Sequence, residues 1–306
     1  MSDLARVGGT CFGFEPKSAL DFSFLRTGTG APLLVQERDD QSFDARGQRP
    51  LLEWSVPGSD PLHVRLYGGG SRFDLWIDRG GWFSVDTDVP SIDVPAGVDA
   101  IRREERLWGL PALLCFWARG DIALHAAAVE IDGGAVLLAA PGRFGKTTLA
   151  TAFLAAGHRV LSEDLSRCSF APDPVMLPGP ALLKVRRDAY DRLDVQGASI
   201  VAEDRERVHL ATDPTHRGDG GPVPLRAIVL LNEADGAPAF GRVDPVDAIQ
   251  QLWVLAFNLP TDEGRARCFG DLVRLTQSVP VWRLDRPFNY ESLTSVIGSL
   301  TTFFRA

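Results

Sequence analysis

At 306 residues, with 45% hydrophobic and 24% charged side chains, the chain has ordinary globular composition and room for one large domain or two modest ones, which excludes wholesale disorder. Forty acidic against 32 basic residues give a net charge of -8, so no overall basic field exists to hold a nucleic-acid backbone, and nucleic acid is not an expected partner. The longest strongly apolar stretch, Leu107 to Ala118, is about 12 residues, short of the roughly 20 that a bilayer span needs, and predicts a buried helix rather than a membrane span.

The start of the chain, with Asp3, Arg6, Gly8 and Gly9, lacks a basic segment followed by an apolar run, so no secretory signal is read and the cytoplasm is the expected compartment. Residues 1–105 are rich in Gly, Asp and aromatics. Short apolar runs there, Leu62 to Tyr67 and Phe73 to Ile77, are separated by Gly-rich turns and predict a smaller β-rich N-terminal domain. The charged segment Ile101 to Arg106 then leads into the apolar helix ending at Trp117, and residues 106–306 read as a second, α/β domain of strands alternating with helices.

Strands are predicted at Ile122 to Ile131, Ala135 to Ala139, His158 to Ser162, Ala227 to Leu231 and Val279 to Leu284. Leu149, Ala152, Phe153 and Ala156 fall at helical spacing, with Gly157 placed to end the helix. Asp244 and Pro245 supply an N-cap and a first-turn proline for a helix carrying Val246, Ile249, Leu252 and Trp253. Leu293, Val296, Ile297 and Leu300 repeat the helical pattern near the C-terminus. Cys11, Cys115, Cys168 and Cys268 form no CxxC pair, which argues against a zinc knuckle or disulfide framework and predicts reduced, half-buried thiols.

The strongest local signal is Ala140-Pro141-Gly142-Arg143-Phe144-Gly145-Lys146-Thr147-Thr148, a phosphate-binding (Walker A) loop in its looser form, with Ala at the first position. An apolar strand feeds it and an amphipathic helix leaves it, which is the context the chemistry requires. Gly142 and Gly145 let the backbone curl so that successive N–H groups point at phosphate oxygens, and the helix N-terminus adds partial positive charge. Lys146 would reach the β- and γ-phosphates of ATP, and the Thr147 hydroxyl would be a magnesium ligand. Lys17, Lys146 and Lys184 are the chain's only lysines beside 29 arginines, which singles out each retained lysine.

The strand after this helix ends in Ser162-Glu163-Asp164, and ligand chemistry in open α/β sheets gathers at such strand ends. One of Glu163 and Asp164 would hold magnesium and one would take a proton from an attacking hydroxyl. In Leu183-Lys184-Val185-Arg186, alternation puts Lys184 and Arg186 on one face of a strand, where they would either contact phosphate or form a polar edge. Arg205 and Arg207 precede His209 in a polar segment predicted to approach nucleotide or acceptor.

His125-Ala-Ala-Ala-Val, Asp132-Gly-Gly-Ala-Val-Leu-Leu, the loop, and Gly157-His-Arg-Val-Leu-Ser-Glu-Asp164 together resemble the HPr serine kinase/phosphorylase family. The resemblance covers roughly 190 residues to the C-terminus, more weakly through Pro178 to Lys184, Pro224 to Leu231 and Val279 to Leu284. It implies a P-loop core similar to HPr kinase and phosphoenolpyruvate carboxykinase. It also implies that Asp164 is the catalytic aspartate, that Lys146 and Thr147 are the loop lysine and magnesium-binding hydroxyl, and that His125 belongs to the same site. Glu163-Asp164 stands where the family has paired aspartates. Lys184 lies where the bifunctional enzymes carry an acid, so the resemblance implies a kinase-only relative, similar to short kinases that tailor ribosomal precursor peptides, lasso peptides included.

The expected activity is therefore magnesium-dependent transfer of the ATP γ-phosphoryl group to a serine of a peptide or small protein. The N-terminal half would either recognise the peptide or shield the core, and homo-oligomers occur in the related enzymes. An HPr-type protein kinase, a small-molecule kinase and a non-catalytic nucleotide sensor remain the alternatives.

Overall fold

The computed structural model describes residues 6–39, 48–56, 62–170 and 172–305; the segment containing Asp3 lies outside the described residues. The described residues form a mixed α/β protein with three sheets. Strands β1 (Phe14–Lys17), β2 (Ala31–Arg38), β3 (Leu52–Val56), β4 (Leu62–Gly69), β5 (Arg72–Ile77), β6 (Gly81–Asp86) and β7 (Ser91–Pro95) form the first, in the order β1-β2-β7-β6-β5-β4-β3. Alternation decides which face is buried. Phe73, Leu75, Ile77, Phe83 and Val85 point inward while their neighbours face out. Near the end of β4 one glycine is needed sterically: a Cβ on Gly68, at φ +98, would lie 2.3 Å from the Arg72 carbonyl oxygen.

Helices α1 (Ala100–Leu107) and α2 (Leu110–Ala118) cover that face, so the first core runs on through Phe116. The apolar run is buried as expected, yet it is not continuous with the charged helix before it. The chain breaks at Trp108 and Gly109, and Pro111 sits in the first turn of α2, where its missing N–H costs nothing.

The rest of the chain follows as β8 (Ile122–Leu124), β9 (Ala126–Ile131), β10 (Gly134–Ala139), α3 (Lys146–Ala155), β11 (Val160–Ser162), β12 (Ser166–Phe170), β13 (Pro174–Leu177), β14 (Leu182–Arg186), α4 (Arg187–Tyr190), β15 (Ala198–Glu203), β16 (Arg207–Thr212), α5 (Pro214–Arg217), β17 (Val223–Glu233), β18 (Ala239–Arg242), α6 (Pro245–Trp253), α7 (Asp262–Ser278), β19 (Val281–Arg286) and α8 (Leu293–Phe304). The second sheet has the order β11-β9-β10-β17-β13-β12-β8, with β19 beside β17 and β18 beside β19; β14, β16 and β15 form the third. Strands β10, β17 and β19 are parallel. Val136 and Leu138 pack with α3 and α8 on one face, Ala135 and Leu137 with α6 and α7 on the other, which is why β10 reads as an unbroken apolar run.

Three expectations need correction. The predicted strand from Ile122 to Ile131 is two strands that part at His125: β8 pairs with β12, whereas β9 pairs with β10 and β11. Val246 is exposed; α6 buries the expected Leu252 and, with it, Ala248. The four cysteines are free but fully rather than half buried, and burial pushes Cys115 and Cys168 up to about 12.

Arg26 ties the N-terminal segment to the second sheet. It is buried, donating from Nε to the Gly179 carbonyl at 2.8 Å, from Nη2 to Val160 and Leu161 carbonyls at 2.8 and 3.2 Å, and from Nη1 to Arg217 O. Burial lowers its pKa to about 9, which leaves it charged at neutral pH. Arg26→Ala would take a buried donor from four carbonyls, of which those of Leu161 and Arg217 keep the Gly179 N–H and Arg159 Nε as partners, and we expect a loss of about 3 kcal/mol, read as a lower urea midpoint. Arg26→Lys should rescue little, since one ammonium cannot span that fan of acceptors. An unchanged midpoint for Arg26→Ala would contradict this role.

Candidate active site

Strand direction gathers the site at one edge of the second sheet. Because β9 is antiparallel to both β10 and β11, the C-terminal ends of β10 and β11 lie together, beside the residue that precedes β9. The phosphate loop, Glu163 with Asp164, and His125 therefore share that edge.

The loop from Ala140 to Gly145 curls through two left-handed residues, Arg143 at φ +70 and Gly145 at φ +75. No side chain caps α3, so the N–H groups of its first turn, at Lys146, Thr147 and Thr148, have the free donor character that anions exploit. Pro141, Gly142, Arg143 and Phe144 are exposed, as a ligand-contacting rim would be. Lys146 is buried beneath the loop, its Nζ donating to the Ala140 and Pro141 carbonyls at 2.7 and 3.1 Å. Burial lowers its pKa, while Asp164 and Glu163 act to raise it.

The two adjacent carboxylates have opposite environments. Glu163 is buried and accepts the Thr147 hydroxyl; burial and the neighbouring Asp164 push its pKa up, against Lys184, Thr147 and Arg207. Asp164 has its Oδ1 2.9 Å from His125 Nε2, and the two side chains are 54% and 45% exposed. Its own burial would raise its pKa, but the His125 hydrogen bond and the charges of Lys184, His125 and Lys146 prevail and hold it below the usual carboxylate range. One acid is thus enclosed against the loop, and the other is an open, ionised acceptor.

The third sheet forms a further wall. Lys184 and Arg186 do share the outer face of β14, opposite buried Leu183 and Val185. Lys184 lies 3.6 Å from Glu105 Oε1, and the carboxylates of Glu163, Glu105 and Asp164 raise its pKa although burial opposes them. Arg207 donates to the Lys184 carbonyl at 3.2 Å. Arg186 is engaged by Asp188 at 2.9 Å and joins none of the acid contacts named above, and Arg205 is exposed.

Glu105, missed from sequence, comes from α1 and lies between Lys184 and His209, its Oε2 3.4 Å from His209 Nδ1. Burial would raise its pKa, yet His209, Lys184 and Arg106 together lower it from 4.5 to about 2. A depressed carboxylate stabilises the fold above its unfolded pKa and loses that contribution as pH falls through the folded value. Glu105→Gln is therefore expected to cost about 3 kcal/mol at pH 7. Unfolding at several pH values should show the gap to the parent narrowing below about pH 4.5 and closing near pH 2. A pH-independent gap would contradict the assignment.

Among the described residues no group of three or more His, Cys, Asp or Glu could hold a metal by itself. Magnesium bound with a nucleotide does not need one, since phosphates and water fill most of its octahedron. The Thr147 hydroxyl and Glu163 carboxylate, in direct contact, are oxygen donors of the required kind.

No family model matches the chain, and no curated protein matches it. Among solved structures, that of the Hpr(Ser) kinase/phosphatase from Coxiella burnetii aligns with 59% of this chain and 97% of its own, at 11% identity and a TM-score of 0.33. That similarity is too low to assign an activity. No helix among the described residues is long and apolar enough to cross a membrane.

Proposed function

We propose that the chain is a magnesium-ATP-dependent phosphotransferase that moves the γ-phosphoryl group to a hydroxyl, with a serine of a peptide or small protein as acceptor. The observation that carries this reading is the meeting, at one sheet edge, of an uncapped loop and helix start, a buried lysine and an open, ionised carboxylate. Loop amides and Lys146 would hold the phosphates and offset charge on the transferring group. Thr147 and Glu163 would hold magnesium, which neutralises charge on the β- and γ-phosphate oxygens when bound.

Asp164, half exposed and fixed by His125, would orient the acceptor O–H and take its proton as the oxygen bonds to phosphorus and the bond to the β-phosphate oxygen breaks, leaving ADP. Lys184 and Arg207 would face the acceptor side, and α1 brings the N-terminal unit into the site through Glu105. No feature among the described residues singles out a ribosomal precursor as the acceptor.

The experiment is incubation with magnesium-ATP and a panel of serine peptides, followed by mass spectrometry. A gain of one phosphate on serine, absent without magnesium, is the expected result. Tight nucleotide binding with no acceptor-stimulated ADP release would contradict the catalytic reading, and phosphorylation of sugars or nucleosides alone would replace the acceptor class.

A further inference from the structure

Two exposed aromatic rings flank the phosphate loop, and the mechanism above uses neither. Phe144 lies within the loop and is 37% exposed; Phe288, two residues past β19, is 45% exposed. Single exposed apolar side chains need no explanation, but these are tied to the loop by specific contacts. A Cβ added to Gly145 would lie 2.9 Å from Phe288 Cε2 and 3.1 Å from Arg286 Nη2, so the Phe288 ring rests against the loop backbone.

Arg286 supplies an independent observation. It is only 4% exposed, and its Nη2 donates to the Phe144 carbonyl at 2.8 Å and its Nη1 to that of Pro287 at 3.2 Å. Its Nε is buried with no hydrogen-bond partner. Its guanidinium carbon lies over the Phe288 ring, 5.3 Å from the centroid. A cation thus lies over one face of a ring that is 45% exposed. A half-exposed aromatic ring packed against the loop, braced by a buried arginine, suits stacking with a planar heterocycle attached to the bound phosphates.

We infer that Phe288, with Phe144, is the stacking platform for the nucleobase, so that this site takes a nucleoside triphosphate and not a bare polyphosphate. The inference rests on the reading of the loop as a triphosphate site and extends it to the other end of the ligand. Base stacking on an aromatic side chain changes affinity by roughly 5- to 150-fold when the ring is removed.

Calorimetric titrations of magnesium-ATP and of magnesium tripolyphosphate into the full chain separate the two ideas. For Phe288→Ala, ATP affinity should fall by roughly tenfold or more while tripolyphosphate affinity stays at the parent value; Phe288→Trp should restore ATP binding. Phe144→Ala should show the same selectivity, more weakly. Unchanged ATP affinity in Phe288→Ala overturns the platform, as does an equal loss for both ligands, which would mean that the ring only shapes the loop through Gly145. A parent chain that binds tripolyphosphate but gains nothing from the nucleoside overturns the platform alone. A parent chain that binds neither overturns the loop reading and the platform with it.

Discussion

Lys146→Met is expected to lower phosphoryl transfer by at least about 10³-fold, because in the proposed mechanism the ammonium would offset charge on the transferring group and the substitution keeps the stem without it. Lys146 is buried among the Ala140 and Pro141 carbonyls in the field of Glu163 and Asp164, so a neutral replacement removes the cation without opening a cavity. Losing those two hydrogen bonds should cost about 1–3 kcal/mol of stability. A thermal melt run beside the transfer assay separates the effects. A folded variant that turns over at the parent rate would remove Lys146 from the chemistry.

Asp164→Asn should reduce transfer by roughly 10²- to 10⁴-fold, the range for losing a positioned proton acceptor. The amide keeps the size of the carboxylate and an oxygen able to accept from His125, so the 2.9 Å contact can survive while the negative charge is lost. Magnesium-ATP affinity should change only a few-fold, since the buried Glu163 and not Asp164 contacts Thr147. The diagnostic pattern is a loss in kcat with near-normal nucleotide binding. If kcat stayed at the parent value, the open carboxylate would be a bystander.

The strand–loop–helix unit was legible because its pattern is local: apolar strand, Gly-containing loop, lysine and threonine follow one another within a few residues, and β10 and α3 form where the periodicity places them, although the left-handed turns fall at Arg143 and Gly145 and not at the expected Gly142. Glu163 and Asp164 were legible as the end of the next strand, β11. His125 was harder. Sequence marks it as one residue in an apolar run, whereas its exposure follows from β8 and β9 choosing different partners, a decision made by residues far along the chain. Glu105 sits in the charged run Arg102 to Arg106, where a site residue looks like any solvated helix face, and only the arrival of β14 and β16 distinguishes it.

The long helix α7 escaped notice for a related reason. Its buried side, Cys268, Leu272 and Leu275, has helical spacing, but Gly264 and Gly270 and the arginines at 265, 267 and 274 dilute the apolar pattern. Thr261, which accepts the Gly264 N–H at 3.0 Å, was the available start signal. Phe288 and Arg286 lie where β19 ends, and nothing in their own segment announces that the fold folds them against a loop more than 140 residues earlier.

The most direct measurement is a crystal structure of the chain with magnesium and a non-hydrolysable ATP analogue. The account predicts the triphosphate cradled by the amides from Gly142 to Thr148, its γ-phosphate in contact with Lys146 Nζ and the Asp164 carboxylate facing it from the acceptor side. A nucleotide bound elsewhere, or a γ-phosphate with Asp164 directed away from it, would contradict it.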